Sequence, residues 1–166
     1  MFAMPSLALS WRFVLLLVAV LGADQLTKSW ALSALFVPGQ QIIVTPFFNF
    51  TPVWNSGISF GLLADFPTAT GLVIPVFAVL VVIWLYLQLS QLGIVQRVGA
   101  GLIAGGALGN VIDRLRFDRV IDFIDIHLLG YHWPAFNIAD SAIFIGVVAW
   151  LYGIMSAPKS EGDTHA

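Results

Sequence analysis

The sequence predicts an α-helical integral membrane protein with four transmembrane helices. Three observations carry this. Of 166 residues, 59% are apolar and only 10% are charged, against roughly 25% charged in an average soluble domain. Mean hydropathy is +0.93, more apolar surface than one compact water-soluble domain of this length covers. The apolar residues also come in runs close to the 20 or so that a helix needs to cross a bilayer core of about 30 Å.

The runs are residues 13–35, 71–89, 94–112 and 138–155. The second carries no charge. The first contains Asp24 and Lys28, the third Arg97 and five glycines, the fourth Asp140 near its start. The first run has the outline of a signal peptide, with Arg12 ahead of an apolar stretch to Ala23. It continues as apolar helix beyond Lys28, so it is read as a span. Glycines 101, 105 and 109 are four apart on one helix face, a spacing that lets another helix backbone approach closely.

One domain covers residues 1–166, with outer loops at about 36–70 and 113–137 and a disordered polar tail at 157–166. Four spans put both termini on one side. The cytoplasmic assignment of that side places Arg12, Arg97 and Lys159 inside, and the loop 36–70 has no Lys or Arg. Arg114, Arg116 and Arg119 in the second outer loop count the other way, but four aspartates lie among them. The first outer loop reads as two short strands, Gln41 to Val44 and Phe47 to Thr51, with a turn between them. Asn49-Phe50-Thr51 has the form of a glycosylation acceptor, followed by Pro52.

Several chemistries are excluded. There is no cysteine, hence no disulfide, thiolate metal site or cysteine nucleophile. A net charge of −2 leaves no basic patch for nucleic acid. No HExxH or serine-based dyad is found, and His127, His132 and His165 fall in the loop and tail. Asp122 and Asp125 have the spacing to share a metal ion, but the further aspartates such sites need are missing. Asp125 is expected to face water or pair with Arg119.

An ionisable group within a bilayer costs on the order of 3 kcal/mol on insertion scales and usually faces the bundle interior. Most of the charges lie near the outer ends of the spans, which implies one polar site there. Asp24 and Lys28 are four apart and can pair on one face, as a structural tether or as part of the site. Asn110, Asp113 and Arg114 share a face if the third helix reaches that far. Arg114 then clamps a peptide carbonyl or lipid phosphate, or pairs with an aspartate. Asn55 precedes Ser56-Gly57 and suits a turn. Asp122, in VIDFID, belongs on a short strand or loop at the membrane surface. Asp140, in FNIADSAIF, is one turn into the fourth helix, with Asn137 pointing the same way.

Two carboxylates together in a poorly solvated site do not both ionise easily, so they share a proton near neutral pH. In that state one activates water and the other protonates a carbonyl oxygen or leaving amine. The same pair is also compatible with a proton relay in a small proton-coupled transporter, or with a purely structural network.

The blocks DQLTK (24–28), WNSGISFG (54–61), GGALGNVIDR (105–114), VIDFID (120–125) and PAFNIADSAI (134–143), in this order, resemble the lipoprotein signal peptidases, or signal peptidase II. The resemblance covers about residues 14 to 151. It implies four transmembrane helices with a small extracytoplasmic β-cradle and a short interfacial helix. It implies an aspartic endopeptidase of the bacterial inner membrane that cuts before the lipidated cysteine of diacylglyceryl-modified prolipoproteins, without metal or other cofactor. Asp122 and Asp140 then correspond to the catalytic dyad. Asn55 and Arg114 correspond to contacts for substrate or for cyclic peptide inhibitors such as globomycin. Asp24, Lys28, Asn110, Asp113 and Asn137 correspond to supporting residues. The loop with Gly57, Phe60, Gly61 and Leu62 is read as a lid over the cleft.

Overall fold

The computed structural model describes residues 6–37, 39–57 and 69–156. The lid residues Phe60, Gly61 and Leu62 and the tail 157–166 lie outside the described residues. Four long helices, α1 (Leu7–Ala31), α2 (Ile74–Gln88), α3 (Ile94–Phe117) and α4 (Ile138–Met155), form the bundle. Wider π-helical turns extend α1 through Phe36 and precede α2 from Ala69. With those turns, three helices are long and apolar enough to cross a membrane: Ser10–Phe36, Gly71–Gln91 and Ile138–Met155. The remaining one, α3, carries Arg97, Asp113, Arg114 and Arg116 as well as its glycines, which dilute its apolar character.

The centre of the bundle is α3, because its small residues admit neighbours on two sides. A methyl group on Gly101 would lie 2.8 Å from Leu16 Cδ2, and one on Gly105 2.7 Å from Val20 Cβ, both on α1. The stripe read from the sequence is therefore the α1 contact. A second glycine face escaped that reading: a methyl group on Gly99 would lie 2.6 Å from the Gly146 carbonyl of α4, and one on Gly106 would meet Ala139 and Ile143. Such approach of backbones replaces the missing hydrophobic drive between helices in lipid. By contrast, α2 meets α3 through larger side chains, with Leu85 and Leu89 buried in a cluster with Phe13, Ala100 and Ala104.

The third helix runs five residues past the predicted end at Ile112. Charge made 113–117 look like loop, but Asp113 and Arg114 are fully or nearly fully buried and satisfied within the bundle. The helix stops where Asp118 takes a left-handed conformation, φ 56°, its N–H bonded to the Arg114 carbonyl at 2.9 Å.

The outer loops form one antiparallel sheet in the order β1-β2-β3-β4. Its strands are β1 (Ile42–Thr45), β2 (Phe48–Asn55), β3 (Val120–Leu128) and β4 (Tyr131–His132). The two predicted strands are present, the second running four residues further than read. β2 and β3 pair from Phe48↔Ile126 to Asn55↔Val120, with a register shift between Phe50 and Val53. Pro52 sits in that shift, where a residue without an N–H does least harm to a ladder. The sheet packs on the end of α1: Ala31 and Leu35 are buried with Ile121 and Phe123, and Trp30 stands edge-on to Phe50 at 5.0 Å. A bridge between Ile124 and Phe136 leads the chain from β4 back to α4. Asn49 of the acceptor-like triplet is buried within β2, 5% exposed, beside Asp125 and His127, and is not a surface asparagine.

Candidate active site

The site forms where β3, α3 and the first turn of α4 meet. β3 delivers Asp122, which is 1% exposed. The first turn of α4 delivers Asp140, which is half-buried. Between them stands Asn137, fully buried, as the cap of α4. Its Oδ1 accepts from the Asp140 N–H at 2.9 Å, and its own N–H donates to Asp140 Oδ2 at 3.3 Å, a reciprocal capping arrangement. Its Nδ2 donates to Asp122 Oδ1 at 2.7 Å. One asparagine thus holds both carboxylates.

Each carboxylate has one further amide. Asn55 Nδ2 donates to Asp122 Oδ2 at 2.8 Å, while Asn55 Oδ1 accepts from Gly57 N–H at 3.0 Å. Asn55 thus closes its turn and reaches Asp122 at once. Asn110 Nδ2 donates to Asp140 Oδ1 at 2.8 Å. Burial, and then the negative charge of Asp140, pushes the Asp122 carboxyl up to about 7, against the hydrogen bonds from Asn55 and Asn137. Two groups so coupled titrate as a pair.

Behind this pair lies a buried ion cluster. Lys28 Nζ is 2.9 Å from Asp24 Oδ2, 2.7 Å from Asp113 Oδ2 and 2.9 Å from Asn110 Oδ1. Fixing the Asn110 oxygen on Lys28 turns its amide nitrogen toward Asp140. Asp24 Oδ1 accepts the Ala139 N–H of α4 at 2.9 Å, and Asp113 Oδ2 accepts the Ile121 N–H of β3 at 3.2 Å. The cluster ties α1, α3, α4 and β3 together at the level of the carboxylates. Removing Lys28 would leave two buried carboxylates uncompensated.

Arg114 is 7% exposed and donates to the Gly57 carbonyl at 2.9 Å and the Asn110 carbonyl at 3.3 Å. Both acceptors are carbonyls of this chain's own backbone. A cavity of about 1010 Å³ opens over Asp122 and Asp140. Asn55, Asn110 and Arg114 share its wall with apolar residues of α2 and α4, among them Ala78 and Phe144.

All nine residues singled out from the sequence meet in this one network. Gln25 was missed: its Nε2 lies 3.2 Å from both Asp24 Oδ2 and Asp113 Oδ1. Its place inside the DQLTK block was the available signal. The expectation for Asp125 is corrected. It neither faces water nor pairs with Arg119. It is 5% exposed and bonded to His132 Nδ1 at 2.7 Å, Thr51 Oγ1 at 3.0 Å and Asn49 Nδ2 at 3.5 Å. Burial works to raise its carboxyl, but the hydrogen bonds, that from His132 foremost, together hold it below the usual carboxylate range. Among the described residues, no three His, Cys, Asp or Glu side chains converge as a metal site would require.

The family model for signal peptidase (SPase) II matches residues 16–156. The lipoprotein signal peptidase of Desulforapulum autotrophicum is 38% identical over 148 residues, 87% of this chain and 91% of that protein. That of Syntrophotalea carbinolica is 42% identical over 142 residues, covering 81% and 86%. That of a Janthinobacterium species is 42% identical over 161 residues, 91% of each. A bacterial membrane enzyme solved by the in meso method at 2.3 Å resolution superposes with a TM-score of 0.76 at 28% identity, covering 100% of this chain and 99% of that one.

Proposed function

The chain belongs to the signal peptidase II family, and on that premise we propose that it is an aspartic endopeptidase whose dyad is Asp122 and Asp140. The substrate class is the membrane-bound prolipoprotein bearing a diacylglyceryl group on the cysteine after the scissile bond. The observation that supports this most is Asn137, which bonds both carboxyl groups at one end of one cavity.

With one proton between them, one aspartate takes a proton from water as the water attacks the peptide carbonyl. The other gives its proton to the carbonyl oxygen and later serves the leaving cysteine amine. No covalent acyl-enzyme forms. Arg114 and Asn55 orient the peptide backbone. Globomycin-like cyclic peptides would occupy the same cavity. Its wall continues from polar groups onto α4 side chains such as Phe144 and Ile145, 71% and 56% exposed, on the lipid-facing side. Acyl chains stay in lipid there while the scissile bond meets water. In this reading the protein spans the bacterial inner membrane with both termini cytoplasmic and the site near the extracytoplasmic surface.

A proton-coupled transporter would need ionisable groups spread through the bilayer depth. Among the described residues, the buried ones in the helices gather at one end of the bundle. The test is cleavage of a diacylglyceryl-modified preprolipoprotein by the protein in vesicles. Cleavage by the wild type and none by Asp122→Asn or Asp140→Asn, both folded, supports the dyad. Full activity in either variant overturns it.

A further inference from the structure

The end of the bundle away from the carboxylates holds a second, smaller cavity of about 200 Å³. Arg12 of α1 and Arg97 of α3 both line it, together with Phe13, Leu89, Ile94 and Val98. Arg12 precedes Asp24 by roughly 18 Å of helix, and Arg97 precedes Asn110 by roughly 20 Å, at 1.5 Å per residue. This cavity is therefore separate from the site described above.

Its electrostatics are unbalanced. Among the described residues no acidic side chain lines it. Among the described residues Arg12 makes no ion pair or hydrogen bond, and Arg97 makes one, from Nε to the Leu89 carbonyl at 3.1 Å. That bond fixes the guanidinium where α2 ends and, among the described residues, leaves its two terminal nitrogens unengaged. The first turn of α3, the positive end of its dipole, begins beside it at Ile94. Two cations and a helix start around one apolar hollow repel each other unless an anion lies between them. The remaining walls are apolar, and Trp11, Leu15 and Val98 nearby are 61%, 52% and 47% exposed, as lipid-facing side chains are. The occupant must carry both a negative charge and hydrocarbon.

We propose that Arg12 and Arg97 bind the phosphodiester headgroup of an anionic phospholipid, with an acyl chain running along Ile94 and Val98. The guanidinium groups suit phosphate oxygens in geometry as well as charge. Basic pockets between transmembrane helices hold anionic headgroups by the same combination.

The experiment uses the full chain, stripped of lipid in a neutral detergent. Its thermal midpoint is followed as phosphatidylglycerol, phosphatidylcholine or inorganic phosphate is added, with bound lipid counted by native mass spectrometry. Phosphatidylglycerol is expected to raise the midpoint saturably, while the other two leave it unchanged. Arg12→Gln should weaken the apparent affinity about fivefold, and the double variant with Arg97→Gln about 25-fold. Arg12→Gln removes no bond within the described protein, so it decides the matter even if loss of the Arg97–Leu89 contact impairs folding. An equal response to phosphatidylcholine, a response reproduced by inorganic phosphate, or an undiminished response in Arg12→Gln would each overturn the proposal.

Discussion

Asp122 and Asp125 sit three residues apart on one strand, yet the two faces of that strand treat a carboxyl group in opposite ways. An odd separation along a strand sends the side chains to opposite sides. Asp122 points into the bundle, toward two amides and a second carboxylate, and its proton is held up to about 7. Asp125 points to the other face, where His132, Thr51 and Asn49 keep it ionised. Both are at least 95% buried. A low exposed area alone therefore does not set which way a carboxyl group's proton affinity moves. At Asp122 burial and the neighbouring carboxylate outweigh two donated hydrogen bonds, whereas at Asp125 three donors outweigh burial and no second carboxylate opposes them.

The sharpest way to break this comparison is to remove the charge of the proposed dyad. Asp122→Asn and Asp140→Asn should each lower cleavage of lipidated preprolipoprotein by about 10³-fold or more, with thermal unfolding close to wild type. Next in size is Asn55→Ala. Its amide favours the ionised form of Asp122, so the variant should hold the shared proton to higher pH. Wild-type kcat/KM should decline above about pH 7 as the pair loses that proton. In Asn55→Ala the high-pH limb should move upward, and kcat at neutral pH should fall about tenfold.

Asp125→Asn should separate stability from chemistry. Cleavage should stay within about threefold of wild type, while stability at neutral pH drops by about 1–2 kcal/mol through the weakened hydrogen bonds. Because Asp125 is held below its unfolded value, its contribution is present above about pH 4 and is lost as pH falls through the folded value. Wild type and variant should converge there in a pH series of unfolding midpoints. The smallest effect is expected from a chelator: excess EDTA should leave turnover unchanged, and inhibition reversed by added metal would count against the dyad.

The same strand shows how far sequence reading reaches. Asp122 and Asp140 were legible because apolar neighbours frame each and because their blocks resemble a known family in order and spacing. Asn137 was legible as a partner of Asp140 from helix periodicity, since a cap acts within one turn. Asp125 was misread because its partners come from β2 and from the two-residue β4, which no local pattern announces. The overrun of α3 was hidden for a related reason. Asp113 and Arg114 look like loop residues until Lys28 and the Gly57 carbonyl, 85 and 57 positions away in the chain, neutralise them.

The glycine contacts of α3 have a mechanical corollary. Where backbones already touch, α1, α3 and α4 have little slack to separate or rotate, so Asp140, Asn110 and the Lys28 cluster are held as a single block. The flanking helix α2 lies outside that block: among the described residues no side chain in Ile74–Gln88 hydrogen-bonds to the dyad or to its amide partners. Since Ile74 and Ala78 of α2 already line the open cavity, any widening of it is expected to fall on α2, much as a page lifts from a stitched spine.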